Sequence, residues 1–397
     1  MKIERISTTL VFANWRNWVF VQVYTDAGLI GLGEATLRSR EHAVAGAVED
    51  MSRVLVGEDP FEIHSHWQTL YRDFHNRGGV VLMTAIASLE IALWDILGQA
   101  AGLPIYQLLG GRLRSAVRAY GNGWFEAART PHELPQLARQ AADQGFTALK
   151  WNPFAGAADG WMLPRDARRA VREVAEVRQA VGEDVDLLIE AHGLFTPAAA
   201  LRMAEQLAEF RPLWLEEPIP PEDTAAMAEI RQRSPLAIAA GERLYSKYEF
   251  APLLERRGVD IIQPDPLHCG GILETRAIAA MAETHYISFS PHNSSSPLGT
   301  AVCLQLDACI PNFLIQELPL CDVPWREEII TPPIETLHDG QLAIPDRPGL
   351  GVRLNEEVAR RHPYQDPDRS ALSAASTPDQ ERLARRLRRS QKGEHTP

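Results

Sequence analysis

Six acidic or imidazole side chains stand at nearly even intervals between positions 190 and 317 of this chain, each just past a short apolar run. Glu190, Glu216, Glu242, Asp265, His292 and Glu317 are separated by 26, 26, 23, 27 and 25 residues. The runs that carry them are DLLIEA, PLWLEE, LAIAAGE, VDIIQPD, YISFSPH and FLIQE, and TALKW precedes them at 147–151. Helical patterns of 10–15 residues, such as 197–210 and 272–285, lie between most of these runs. Strand and helix in alternation make a parallel sheet. A βα repeat that delivers a polar side chain at the same end of every strand predicts a TIM barrel with its active site on one rim. An open doubly wound sheet binds at one crevice and would not collect side chains from six successive strands.

The first 115 residues have another texture. Residues 2–12 and 18–25 alternate or run apolar, and Asp26-Ala27-Gly28 supplies a turn before LIGLGEA, which predicts an antiparallel meander. Helical patterns follow at Glu41–Leu55, Phe61–Tyr71 and Val81–Ala101, the last with Ala85, Leu89, Leu93 and Ile96 on one face. We therefore expect an α+β domain at 1–115, a barrel at 116–323 and a C-terminal return to the N-terminal domain at 324–365, including a hairpin at HDGQLAIP (338–345). Residues 366–397 form a polar tail crowded with arginines, expected to be disordered or a frayed helix.

Charge and composition exclude some function classes. A net charge of −12 argues against a nucleic-acid partner, which would require a basic face. The N-terminus MKIERISTTLVF lacks a secretory pattern, and no uncharged apolar run is long enough to span a bilayer. Cys269, Cys303, Cys309 and Cys321 show no CxxC spacing, so idle thiols in a cytoplasmic protein with no membrane partner are the expectation.

The chemistry is concentrated at the strand ends. Glu190, Glu216 and Glu242 close consecutive strands, and neighbouring strands lie ~4.8 Å apart. Three such carboxylates repel one another unless a cation joins them. An all-oxygen set suits Mg²⁺, which would keep positions for water and substrate. Asp265 and His292 end adjacent strands; a carboxylate on one imidazole nitrogen fixes the tautomer and leaves the other nitrogen as a general base. His192 lies two residues beyond Glu190, and strand periodicity is expected to point it to the same mouth, as a second acid/base group, with the acid role favoured, or as a hydrogen-bond donor to substrate. Lys150 and Asn152 share that i, i+2 relation on the preceding strand and are expected to meet substrate. Glu317 is open to three roles: a bond to an enolate oxygen, a bond to His292, or an ion pair in the barrel floor.

The segments LIEAHG, LEEP, AGERL, QPD…CGGI and SPH…PLG, in this order and spacing, resemble the mandelate racemase group of the enolase superfamily. RGGVVLMTAIASLEIALWDILG and YQLLGGR add to the likeness, which covers roughly residues 1–355 and is strongest toward galactonate dehydratase and related acid-sugar dehydratases. The resemblance implies a (β/α)7β barrel under an α+β capping domain, with Mg²⁺ held by Glu190, Glu216 and Glu242. It implies α-proton abstraction by Asp265–His292, departure of the β-hydroxyl helped by His192, and an enediolate steadied by Glu317. Trp15 and Arg16, in the cap loop around 14–18, would meet the sugar acid, and the segment 75–79 would close over it. A homo-oligomer is also expected. Three departures stand out: the second-strand lysine pair of mandelate racemase is here Lys150-Trp151-Asn152, and Glu190 and Leu194 replace an Asp and an Arg of the galactonate dehydratase pattern. The missing lysine weakens an epimerase or cycloisomerase, the rival reading on this scaffold; a barrel without activity that serves only in binding is a second rival.

Overall fold

The computed structural model describes residues 1–73 (Asp73 by its backbone alone), 75–320 and 323–366; the basic tail, save Asp366, and Cys321 lie outside these. Strands β1 (Ile3–Ala13), β2 (Arg16–Thr25) and β3 (Ile30–Glu34) form an antiparallel meander. Helices α1 (Glu41–Leu55), α2 (Ile63–Gln68) and α3 (Val80–Ala101) follow. Gly31 and Gly33 explain how α3 lies so close to β3: a Cβ at either would run into the carbonyl of Ala92 or Ser88. With a mean hydropathy of 1.9 α3 is apolar enough for a membrane span, but 78% of that stretch is buried inside the protein, which makes it a core helix.

After α4 (Ile105–Leu108) come eight strands: β4 (Ala116–Asn122), β5 (Ala148–Trp151), β6 (Asp186–Glu190), β7 (Trp214–Glu216), β8 (Ile238–Ala240), β9 (Ile261–Ile262), β10 (Ser288–Phe289) and β11 (Gln316–Pro319). Helices α5 (Leu134–Asp143), α6 (Pro164–Val181), α7 (Pro197–Leu207), α8 (Thr224–Arg233), α9 (Lys247–Glu255), α10 (Ile272–Glu283) and α11 (Pro297–Cys309) alternate with them. Neighbouring strands from β4 to β10 pair in parallel, a Phe289–Phe313 bridge links β10 to the run before β11, and β11 pairs with β4. The result is a (β/α)7β barrel.

Strand periodicity sorts the side chains. Leu149, Leu187, Ile189 and Leu215 face outward into the main core against the helices. Ala148, Leu188 and Trp214 point inward and, with Tyr120, Ala239, Ile261 and Ile315, fill the barrel as a separate cluster. Two residues beyond them, Lys150, Glu190 and Glu216 share the inward direction and lie at its open end. The apolar plug thus closes one end of the barrel and fixes the floor of a polar mouth at the other.

Two carboxylates fasten the N-terminal domain to the barrel. Glu34 accepts from Ser296 Oγ at 2.6 Å, Ser296 N at 3.1 Å and Gly299 N at 3.2 Å at the start of α11. Glu90 on α3 accepts from Ile272 N at 2.8 Å and Leu273 N at 2.9 Å at the start of α10. Gly271 lacks the Cβ that would strike Glu90. Each carboxylate accepts backbone N–H groups at the start of its helix and sits at the positive end of the dipole.

The C-terminal hairpin forms where expected, but it does not itself reach the cap sheet. Its strands Leu337–His338 and Gln341–Ala343 turn at Asp339-Gly340, and the second pairs antiparallel with β4 of the barrel. The return to the N-terminal domain is made further on: Leu350 N donates to Asp95, Phe12 N to the His362 carbonyl, and Gln365 N to Asn17.

Burial raises Glu90 from 4.5 to about 7, against the lowering effect of its amide donors. Between these values the folded state binds the extra proton, so the stability Glu90 contributes is full below about 4.5 and declines as pH rises through about 7. In chemical denaturation, the stability difference between wild type and Glu90→Gln should shift in favour of the variant from pH 5 to pH 8, by up to about 3 kcal/mol. Glu90→Ala should cost about 3 kcal/mol because it strands two buried amides.

Candidate active site at the barrel mouth

Glu190 and Glu216 are paired directly across β6 and β7, and both are buried. Glu242 lies two residues past β8 and is partly exposed. Each of the three offers an oxygen, and these atoms lie within 4.8 Å of one another. Glu190 Oε2 is buried with no hydrogen-bond partner. A buried oxygen without a hydrogen bond, beside two further carboxylates, is what an incoming hard cation would satisfy, so the donor set fits a divalent metal.

Lys150 lies beneath them, its Nζ 2.7 Å from Glu216, 2.9 Å from Glu317 and 3.9 Å from Glu190. The carboxylates around it hold its pKa well above the ordinary value although burial opposes this. Burial, reinforced by Glu242, raises Glu190 to about 7. Glu242 behaves oppositely: burial would raise it, but His292, His192, Lys150 and Arg243 together bring it down to about 2. Glu317 also accepts from Asn122 Nδ2 and from Asn293 N, each at 2.8 Å, so it is anchored from three sides.

His292 stands on the β10 side. Its Nδ1 is 2.8 Å from Asp265 Oδ2, and its Nε2 is 3.3 Å from Glu242. Burial pushes this ring down, but Glu242, Glu317 and Asp265 outweigh it and lift the imidazole to about 10. Asp265 is itself fixed by Leu267 N at 2.8 Å. His192 stands on the β6 side, four strands away round the barrel and so across the mouth. Its backbone N–H donates to Glu190 Oε1 at 2.5 Å, its φ of 48° bends the chain back, and its Nδ1 is 3.0 Å from Asn152 Nδ2. Burial holds this ring below the usual histidine range.

The cap loop comes close to the mouth. Arg16 is buried, lies 4.3 Å from the Trp15 ring centre, and donates to the Ser294 carbonyl two residues after His292. Residues 75–79 are mostly exposed, and among the described residues no hydrogen bond ties them to the mouth. Two neighbours had no signal in the strand-end spacing. His268 packs 3.6 Å from Asp265 and bonds Thr84 of the cap at 2.9 Å. Arg243, next to Glu242, pairs with the buried Glu217 and lies against Gly193, close to the position where Leu194 leaves no cation.

Comparison with known proteins agrees with this geometry. The model of the mandelate racemase/muconate lactonizing enzyme N-terminal domain matches residues 5–110, and that of the enolase C-terminal domain-like family matches residues 133–358. A D-galactonate dehydratase of Verminephrobacter eiseniae is 38% identical over 375 residues, covering 93% of this chain and 96% of that protein. The D-galactonate dehydratase of Pectobacterium atrosepticum is 36% identical with the same coverage. A solved mandelate racemase/muconate lactonizing enzyme-like protein of Rubrobacter xylanophilus superposes with a TM-score of 0.85 at 34% identity, covering 92% of this chain and 98% of that one.

Replacing any one of Glu190, Glu216 or Glu242 with Gln should weaken divalent-metal binding by roughly tenfold or more, about 1.4 kcal/mol or more, in titration calorimetry.

Proposed function

This chain belongs to the mandelate racemase/muconate lactonizing enzyme family of the enolase superfamily, and on that premise we propose that it is a Mg²⁺-dependent hydro-lyase acting on a sugar acid. The substrate is an aldonate or similar acid with hydroxyls on C2 and C3, and the product is a 2-keto-3-deoxy acid. One observation carries the reading: an oxygen triad lies between two histidines whose partners differ, a carboxylate behind His292 and an amide behind His192. The relatives named for galactonate dehydration support the same class.

Glu190, Glu216 and Glu242 would hold the metal. When bound, the cation supplies a seat for the substrate carboxylate, charge for the enediolate, and an offset to the pull of Glu242 on His292. Asp265 keeps its hydrogen bond to Nδ1 of His292, so Nε2 is the atom that takes the α-proton. The electron pair of that C–H bond enters the enediolate, whose oxygens find Lys150 as a nearby fixed cation and need little solvent reorganisation. Collapse of the enediolate breaks the C3–O bond, and the departing hydroxide leaves as water with a proton from Nε2 of His192. The enol then loses its hydroxyl proton and gains one at C3 to give the ketone. Arg16 and Trp15 wall the mouth from the cap side.

Incubation with aldonic and aldaric acids, galactonate included, should yield 2-keto acid from at least one aldonate. Chelation should abolish turnover and Mg²⁺ should restore it. Turnover confined to N-acyl amino acids or dipeptides would overturn the substrate class, and full activity of the chelated protein would overturn the metal assignment.

His292→Asn should stop both turnover and exchange of the substrate α-hydrogen with D₂O. His192→Asn should slow turnover by about 100-fold or more, the usual scale of acid catalysis, and retain slow exchange. The reverse pattern would show that the two histidines have exchanged roles.

A further inference from the structure

Asn152 stands where a lysine base would complete a two-base site, and its amide is turned toward His192. An asparagine amide has one acceptor oxygen and an NH₂ that only donates. Here the oxygen is taken: Oδ1 accepts from Phe154 N at 2.8 Å. Phe154 is fully buried and packs edge-on to Phe195 at 4.9 Å, which fixes the backbone that donates. Reversing the amide would press NH₂ against that N–H, donor against donor. Nδ2 is therefore the atom that faces His192 Nδ1 at 3.0 Å.

We propose that Asn152 is a positioning residue that confines the hydrogen of His192 to Nε2, so that this ring donates at the barrel mouth and cannot accept there. This deepens the dehydratase reading and rests on it. An NH₂ donor meets a ring nitrogen only where that nitrogen carries a lone pair, which leaves Nδ1 bare and the hydrogen on Nε2. The His192 backbone is bent at φ 48° and tied to Glu190, which fixes the point from which the ring projects. His292 has the opposite partner: the Asp265 carboxylate accepts at Nδ1, so a hydrogen is there, and Nε2 is left with the lone pair once a bound cation would take up Glu242, which otherwise faces Nε2 at 3.3 Å. One ring presents an acceptor to the substrate and the other a donor. The α-carbon meets a base from one side only, which directs the enediolate to elimination rather than to inversion.

Asn152→Asp tests this, because a carboxylate still serves Phe154 N–H but accepts from His192 Nδ1. In Mg²⁺-loaded protein with ¹⁵N-labelled histidine, NMR should find the His192 hydrogen on Nε2 in the wild type and on Nδ1 in the variant. In D₂O, wild-type enzyme should exchange the α-hydrogen of one C2 epimer of its aldonate. The variant should exchange the other epimer at least tenfold faster than wild type does, and dehydrate at least tenfold more slowly, about 1.4 kcal/mol of barrier in each case. Asn152→Leu, which removes the donor without adding an acceptor, should slow dehydration with no new exchange. A wild-type His192 with its hydrogen on Nδ1 would overturn the proposal, and so would an Asn152→Asp protein with unchanged tautomer and exchange. The wild-type NMR measurement needs no variant and no substrate. If no sugar acid is dehydrated, the functional reading fails while the tautomer still decides the role of Asn152.

Discussion

Four carboxylates, Glu190, Glu216, Glu242 and Glu317, are brought to one end of a barrel whose floor is sealed by apolar side chains, with one buried ammonium among them. Like charges at such separations in a poorly solvated site repel by several kcal/mol, so the arrangement exists only because the strands force it. The forcing is geometric. Glu190 and Glu216 are register partners on β6 and β7, and the inward residues two positions before them, Leu188 and Trp214, are locked in the plug. Lys150 offsets part of the repulsion from below. A divalent cation would take up the rest, and the Glu190 oxygen to which no described residue donates a hydrogen bond marks where it is needed.

The same crowding makes the two histidines chemically unlike. Each stands near Glu242, and each belongs to a residue type whose charge responds to small changes of surroundings. What separates them is the atom behind the ring: a carboxylate oxygen for His292, an amide nitrogen for His192. A single side chain at position 152 thus decides whether the barrel presents one base or two.

The cap is joined to this barrel through its polar skeleton as well as its core. Glu34 and Glu90 cap the starts of α11 and α10, the helices that follow β10 and β9, and His292 and Asp265 lie in the loops just beyond those two strands. Arg16 meets the loop after β10. The side of the mouth on which His292 stands is therefore tied to the cap.

The even spacing of Glu190, Glu216, Glu242, Asp265, His292 and Glu317 determined the barrel, because a βα unit has a nearly fixed length and a strand has a two-residue period. That period does not reach His192, which lies beyond β6 in a turn with φ 48°, whereas the Asp265–His292 pairing followed from adjacent strands. The strands themselves are shorter than the apolar runs: β9 and β10 have two residues each, and Glu242, Asp265 and His292 sit in the loops beyond their strands. The destination of the hairpin at 338–345 was not legible, since an edge of β4 and an edge of the cap sheet offer the same backbone hydrogen bonds. Nor was the placement of His268, Arg243 and Glu217, or the direction of the Asn152 amide. These depend on which backbone N–H or carboxylate from a distant segment arrives within 3–4 Å, and that proximity is created only when the barrel closes and the cap docks.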